Sequence, residues 1–383
     1  MTVYINARFL TQPVSGVQRY AHEILNALDQ LLSQNQETLQ FFGPFVALCP
    51  HGRIPKQRWN KIEIRQIGKS KGHIWEQTSL NIATRDGILV SLGNSGPLFH
   101  SAQILALHDA NIWDIPLAFS ARYRLLHKTI RPLLAKRAQG LLSVSRYSAN
   151  RLADRLNILP QRFAIVPNGA DHITKIKEDS DVLQRFDLVK NGYLLSVGNQ
   201  SPNKNIHRLI QAHGVVSAQV PPLVVIGGQT SGLQAQSNKA FNNVKFLGRV
   251  DDAALRGLYE NAKGFVFPSL YEGFGIPPLE SMLLGTPVLA SQKSALPEIL
   301  QDGVMWFDPL DIDDMTKSMI EFAELTHGER DKLIARGHAI ADKFRWSRSA
   351  QLLLDQILAL KKSKSNGVPD VHNTSINLQI PIS

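Results

Sequence analysis

Cysteine is almost absent from this chain: Cys49 stands alone among 383 residues, so an internal disulfide and a zinc site built on several cysteines are both excluded. That fits a reducing compartment. Long apolar runs are missing as well, and none approaches the length needed to span a bilayer. The opening MTVYINARFL lacks the basic start and long apolar core of an export signal, and residues 2–6 read as a strand. A cytoplasmic protein is expected. Repeats and low-complexity segments are also lacking, which leaves an ordinary globular organisation.

Acidic residues are scarce in two stretches. Residues 53–71 carry Arg53, Lys56, Arg58, Lys61, Arg65, Lys69 and Lys71 against Glu63 alone, and residues 122–155 hold nine basic residues against Asp154 alone. Net charge is +10, and all of the excess falls in residues 1–180, which hold 22 basic and 12 acidic residues. Such a field suits anionic lipid headgroups, a phosphate-bearing acceptor or nucleic acid, and it also keeps a surface solvated. Tyr123, Leu126, Ile130, Leu133 and Leu134 recur near helical spacing among these charges. They point to an anionic membrane surface, the inner face of the plasma membrane. No recognition motif accompanies the charge, so nucleic acid is not an expected partner.

What the sequence does contain is a rhythm of short apolar runs. In the first half they fall at 45–48, 62–67, 88–92, 104–107, 141–144 and 164–166, alternating with polar or helical stretches. A parallel sheet covered by helices follows from that alternation. Residues 16–32 repeat apolar positions at Tyr20, Ile24, Leu28 and Leu31 and read as an amphipathic helix that opens at Gly16. A second set of runs begins at 192–198 and continues through 223–228, 244–250 and 264–267. A chain of this length exceeds one typical core, so two domains are expected.

The densest pattern is GFVFPSLYEGFGIPPLESMLLGTPVLAS, residues 264–291. It reads as strand, loop, helix, strand. In open parallel sheets ligands lie beyond the carboxyl ends of strands, and that position holds Glu272, Gly273, Phe274 and Gly275. Pro277 suits a first helical turn, so the N–H groups of Gly275 and Ile276 are placed to meet an anion such as a diphosphate. Glu272 and Glu280 frame the loop. A carboxylate beside phosphate is repelled, so each is expected to accept hydrogen bonds from neutral hydroxyls, which sugars supply in pairs. Read singly, Glu272 is equally a solvated loop acid and Glu280 a favourable charge near a helix start.

Together, Glu272, Gly273, Phe274, Gly275, Pro278, Glu280, Gly285, Thr286, Pro287 and Val288 resemble the carboxyl-terminal signature of retaining GT-B glycosyltransferases of the group 1 family, also called family 4. The resemblance implies two facing Rossmann-like domains with a cleft between them. It gives Glu272 a contact with the donor sugar near its reacting end, and Glu280 a contact with the ribose of the sugar nucleotide. LALHDANIWDIP resembles the family's His-Asp segment, which assigns His108 to the sugar near its anomeric carbon and leaves Asp109 structural. SGVQRYAHEIL resembles the glycine-containing loop that lines the cleft, and so implicates Gly16. WEQTSLN, residues 75–81, and LGNSGPL, residues 92–98, resemble segments of polysaccharide-assembling members.

In the second half, Pro202, Lys204 and Asn205 match the family's Pro-Arg-Lys-Asn element, with Asn203 where arginine is usual. By resemblance Lys204 neutralises the donor diphosphate. Residues 198–201 also offer no arginine of the kind many relatives carry there. Arg249, near a strand end, fits either phosphate or solvent. SALPEI, residues 294–299, resembles a helix beside the nucleotide. Asp311 and Asp313 form an Asp-x-Asp, but acids at a helix start are favourable by charge alone, so no metal or other cofactor is expected.

The reading is thus an amino-terminal acceptor domain over 1–178, a donor domain over 190–345, a terminal helix over 346–362 that returns to the first domain, and a tail over 363–383. The polar residues 171–190 connect the domains, and Asn168 with Gly169 serve only to turn the chain. The implied activity is a metal-independent retaining hexosyltransferase that moves a sugar, with mannose from GDP-mannose first in line. The implied acceptor is a hydroxyl of a glycan or polyprenyl-linked oligosaccharide in surface polysaccharide synthesis. A noncatalytic GT-B scaffold and a basic membrane-surface binding protein are the alternatives.

Overall fold

The computed structural model describes residues 1–34, 41–54, 59–199, 201–227 and 243–365. Lys56, Arg58, Gly228 and residues 366–383 of the tail lie outside that set. Two compact units emerge. The first comprises Met1–Ala110, Leu125–Val166 and the described residues from Ser347 onward; the second comprises Asn111–Arg124 and Pro167–Trp346.

The first unit is built on a seven-stranded sheet. Its strands are β1 (Val3–Asn6), β2 (Phe45–Cys49), β3 (Ile62–Gln66), β4 (Ile88–Ser91), β5 (Gln103–Ala106), β6 (Gly140–Ser143) and β7 (Phe163–Ile165). Every pairing is parallel, in the order β3-β2-β1-β4-β5-β6-β7. Continuous burial along β2, β4 and β5 explains why they read as apolar runs rather than alternating ones: both faces of the sheet are covered.

Three helices of this region matter below. Helix α1 (Gly16–Gln34) buries Tyr20, Ile24, Leu28 and Leu32, and the Tyr20 hydroxyl donates to the Val166 carbonyl at 3.2 Å. Buried Asp29 accepts from the N–H groups of Asn60, Lys61 and Ile62, which fixes the entry into β3. Helix α2 (Ala121–Arg137) turns His127, Arg131 and Leu134 inward, while Tyr123, Leu125, Leu126 and Leu133 stay exposed. Helix α3 (Arg146–Leu156) starts at Ser145, whose hydroxyl accepts from the Ser148 N–H at 3.0 Å and so caps it as the sequence suggests.

The second unit carries a six-stranded parallel sheet of β8 (Leu194–Val197), β9 (Leu223–Ile226), β10 (Val244–Gly248), β11 (Gly264–Phe267), β12 (Val288–Ser291) and β13 (Met305–Phe307). Its order is β10-β9-β8-β11-β12-β13. Helices α4 (Ile206–Val216), α5 (Asp252–Glu260), α6 (Ile276–Leu283), α7 (Leu296–Leu300) and α8 (Ile312–Ala323) connect it. Leu209, Ile210, Val266, Leu289, Met319 and Phe322 share its core. Gly264 is required by that packing, because an added Cβ would stand 2.2 Å from the Phe322 ring.

Both sheets therefore reverse their strand order once, between β1 and β4 in the first and between β8 and β11 in the second. Crevices at such points, beyond the carboxyl ends of the strands, are where this class of sheet binds ligands. The polar stretch 171–190 falls within the second unit and packs against α5. Val182 is buried and Gly257 of α5 packs against it, so a Cβ there would meet Val182 at 2.8 Å. Gly169 likewise does more than turn the chain: a Cβ would lie 2.4 Å from the Trp346 nitrogen, so only glycine admits this approach.

Candidate active site

Lys204 and Glu272 meet at the switch point of the second sheet. After β8 the chain makes a short turn over Pro202–Lys204, and after β11 it runs through Glu272 to Gly275 before α6. Lys204 Nζ donates to Glu272 Oε1 at 2.6 Å and lies 5.6 Å from the centre of the Phe267 ring. Their side chains are 25% and 14% exposed, so the pair is shielded yet reachable. Glu272 thus holds a charge-assisted bond to an ammonium, stronger than one to a neutral hydroxyl.

The loops that carry the pair are tied down locally. The Glu272 N–H donates to Ser294 Oγ at 2.9 Å, and the Ala295 N–H reaches the Glu272 carbonyl at 3.4 Å, so the SALPEI segment braces the loop. Asn203, in place of the usual arginine, accepts from the Ser201 hydroxyl at 2.6 Å and donates to the Tyr271 carbonyl at 3.3 Å. Its own carbonyl accepts from the Leu270 N–H at 2.7 Å. Asparagine thus joins the two loops that bear Lys204 and Glu272, and its side-chain oxygen holds Ser201, which a guanidinium, having no acceptor, could not do.

Gly275 adopts a φ of +113°, and an added Cβ would sit 2.7 Å from Leu296. Phe274 packs edge-on against Phe344 with centroids 5.3 Å apart. Gly273 and Ile276 are half-buried on either side. Pro277 and Pro278 follow within the first turn of α6, as the sequence suggests.

Glu280 is buried within α6. Its Oε2 accepts from the Tyr259 hydroxyl at 3.2 Å, and its Oε1 lies 2.9 Å from His172 Nε2. Trp346 Nε1 donates to His172 Nδ1 at 3.1 Å, so the His172 proton stands on Nε2 and points at the carboxylate. Asp171 accepts from the Trp346 N–H at 2.8 Å. Burial and the neighbouring Glu280 push the Tyr259 phenol well above its ordinary pKa, so it stays protonated and donates to the carboxylate. Each Glu280 oxygen keeps further acceptor capacity. His172, Tyr259 and Trp346 escaped the sequence reading; the His after the turn in NGADH was the one local signal.

The remaining candidates lie in the first unit. His108 follows β5, is buried, and packs edge-on against Tyr20 with centroids 4.8 Å apart. Its N–H donates to Asn94 Oδ1 at 2.8 Å, and Nε2 is 2.8 Å from the Leu92 carbonyl. A carbonyl only accepts, so the ring proton is on Nε2. Burial above all, with Arg131 adding to it, pushes the His108 pKa down to about 4. This imidazole is neutral at pH 7 and serves as a hydrogen-bonding group. Asp109 presents its backbone carbonyl to Arg131 at 3.4 Å. Gly16 begins α1 in the open, with nothing within 4 Å of an added Cβ, so the fold itself does not demand glycine there.

Arg249 is exposed. Asp311 caps α8, accepting from the N–H groups of Asp313 and Asp314 at 2.9 and 3.2 Å, which accounts for the Asp-x-Asp. Among the described residues no group of three or more His, Cys, Asp or Glu side chains could hold a metal, and no helix is long and apolar enough to cross a membrane.

Comparison with known proteins places these features in context. Residues 181–339 match the family described as glycosyl transferases group 1. The chain is 31% identical over 368 residues to O-antigen chain mannosyltransferase B of Escherichia coli, covering 87% of this chain and 93% of that one. It is 29% identical over 253 residues to O-antigen chain mannosyltransferase RfbU of Salmonella typhimurium, with 62% and 67% covered. Among solved structures, Anabaena Alr3699/HepE in complex with UDP and glucose superposes with a TM-score of 0.69 at 18% identity, covering 94% of this chain and 99% of that one. WaaG, a glycosyltransferase involved in lipopolysaccharide biosynthesis, gives 0.65 at 18% identity, with 93% and 99% covered. The fold is that of the GT-B glycosyltransferases.

The buried His108 makes a stability prediction. Unfolded, its imidazole takes a proton near 6.5; folded, only near 4. Between those values the unfolded state binds more protons, so stability present above pH 6.5 is lost as the pH falls. Urea unfolding at pH 7 and pH 5 should show His108→Gln losing about 2 kcal/mol less than the parent over that interval. Equal losses would mean that the ring is not held neutral.

Proposed function

The chain belongs to the glycosyl transferases of group 1, and from that membership we propose a retaining, metal-independent hexosyltransferase of family 4 that transfers mannose from GDP-mannose. The acceptor is a hydroxyl of a glycan or polyprenyl-linked oligosaccharide, in the assembly of a surface polysaccharide. The observation that carries this reading is the Lys204–Glu272 pair at the switch point between β8 and β11, with Glu280 on the following helix. The names of the E. coli and Salmonella relatives support mannose and an O-antigen type of product.

In the reaction the bond from the anomeric carbon to the diphosphate breaks and a bond to the acceptor oxygen forms on the same face. The acceptor's proton passes to the departing diphosphate oxygen. Negative charge grows on that diphosphate. Lys204 and the N–H groups at Gly275 and Ile276 are the groups suited to meet it, and together they do so without a metal. Binding of the donor would transfer Lys204 from Glu272 to phosphate and leave the Glu272 carboxylate to accept sugar hydroxyls. Glu280, oriented by Tyr259 and His172, would take the ribose hydroxyls. By family resemblance, His108 would accept a hydrogen bond from the sugar at its unprotonated ring nitrogen, and the bare Gly16 backbone would allow close approach of the donor.

The same reading gives the enzyme a place at an anionic membrane surface. On the outer side of α2, Leu125 is 72% exposed and Leu126 and Leu133 lie open beside Lys128, Lys136 and Arg137. Leucines that enter the headgroup region among cations suit an acidic bilayer by hydrophobicity and charge together. Reversal of Lys128, Lys136 and Arg137 to Glu should abolish sedimentation with vesicles containing phosphatidylglycerol and leave that with neutral vesicles unchanged. Full retention on the acidic vesicles would remove the membrane from the account.

The donor reading is tested by calorimetric titration of GDP, UDP and dTDP. GDP should bind tightest, and Lys204→Ala and Glu280→Ala should each weaken it by at least about thirtyfold, the size of one shielded charge-assisted contact. Preference for UDP or dTDP would replace mannose by a sugar carried on that nucleotide. Failure of all three to bind would favour a noncatalytic scaffold.

A further inference from the structure

The first sheet has its own switch point, between β1 and β4, and a polar cluster stands there that none of the roles above employs. Asn6 ends β1, Arg8 follows it, and Ser95 lies just beyond β4. Glu76 comes to them from the WEQTSLN segment and is wholly buried. Its Oε1 accepts from Asn6 Nδ2 at 2.9 Å and from the Ser95 hydroxyl at 2.8 Å, and Arg8 Nε is 3.3 Å away. Its Oε2 is 2.9 Å from His73 Nδ1. Arg8 Nη2 also donates to Ser95 at 2.9 Å. Burial alone would raise the Glu76 pKa, yet its bonds to His73, Arg8, Asn6 and Ser95 hold it below the ordinary carboxylate value.

Further basic side chains stand near this carboxylate. Arg131 is buried nearby, and the His73 and His127 rings lie 5.2 Å apart. The His127 pKa is pushed down to about 4 by burial first, then by the charges of Arg131, His73 and Arg8. Sealed from solvent and holding four donors, Glu76 acts as an anchor. Arg8 and His73, 15% and 27% exposed, form the accessible face. The backbone adds a second sign, since Glu76–Leu80 is a π-helical turn, a rare geometry that gathers at functional sites. A buried ionic cluster is seldom the most stable filling for its volume, so its position at the ligand edge of the sheet calls for a functional reason.

We propose that Arg8 and His73, held in place by Glu76, bind a phosphate group carried by the acceptor. This rests on the glycosyltransferase reading above and adds to it the chemistry of the acceptor. A guanidinium presents N–H groups to phosphate oxygens, and the His73 ring, whose Nδ1 proton goes to Glu76, offers a second N–H at Nε2 as an imidazolium; neither discriminates by sugar identity. The phosphate could arrive on a polyprenyl lipid or on a soluble sugar phosphate.

Inorganic pyrophosphate titrated into the full chain bearing Lys204→Ala, which weakens the donor site, reads this second site through the further loss that Arg8→Gln or His73→Gln brings. Pyrophosphate binding is expected, weakened about tenfold or more by adding Arg8→Gln and about fivefold by adding His73→Gln. Should Arg8→Gln fail to fold, His73→Gln decides, because Glu76 there keeps Arg8, Asn6 and Ser95. Binding unaffected by His73→Gln, or no pyrophosphate binding to the Lys204→Ala chain, overturns the proposal. GDP titration of the unmutated chain tests the donor reading separately, so the two failures are distinguishable. Repeating the titration with mannose 1-phosphate and with polyprenyl phosphate in phosphatidylcholine vesicles identifies the source: tighter binding of one by the Lys204→Ala chain, lost with Arg8→Gln, supports the site and names its carrier.

Discussion

A shielded ion pair joins two loops that leave neighbouring strands, and the candidate site depends on it. With side chains only 25% and 14% exposed, Lys204 and Glu272 have lost much of their hydration, and each would be left poorly compensated without the other. The surrounding residues keep their separation fixed. Asn203 and Ser294 fasten the two loops by hydrogen bonds, and Gly275 lets the chain turn into α6 where a side chain would strike Leu296. In the proposed reaction a diphosphate would take the place of Glu272, because it offers Lys204 charge of the same sign on more oxygens.

The two sheets solve a similar problem at corresponding places. Each reverses strand order once, and at each reversal a cation and a carboxylate meet: Lys204 with Glu272 in one, Arg8 with Glu76 in the other. Their differences are chemical. Glu272 remains accessible, so it can change partners, whereas Glu76 is sealed and saturated and can only hold its cations still. An exchangeable carboxylate suits a site that must gather a leaving group and a sugar. A fixed one suits a site that only grips.

Much of this was legible in the residues, and the gaps have physical causes. Parallel sheets covered on both faces leave short apolar runs, and the strands of both units appear at those runs. Ser145 and Asp311 announce helix starts because capping is local. Lys204, Glu272 and Glu280 stood out through family resemblance and their placement after strands. What stayed hidden were partners distant in sequence: Tyr259 and His172 on Glu280, Trp346 on His172, and Asn6 and Ser95 on Glu76. No spacing rule relates residue 346 to residue 172. Helix α2 shows the same limit in reverse, since its inward face holds Arg131 and His127 while three of its leucines face solvent.

The central claim is that Lys204 is shared between Glu272 and the donor diphosphate. GDP affinity of Glu272→Gln, which keeps the shape of the side chain and removes its charge, tests this most directly. If the two compete for one ammonium, GDP should bind about tenfold tighter to the variant than to the parent, while turnover falls because the sugar has lost its carboxylate. Unchanged or weaker GDP binding in Glu272→Gln would contradict the account, since Lys204 would then not be the group that meets the diphosphate.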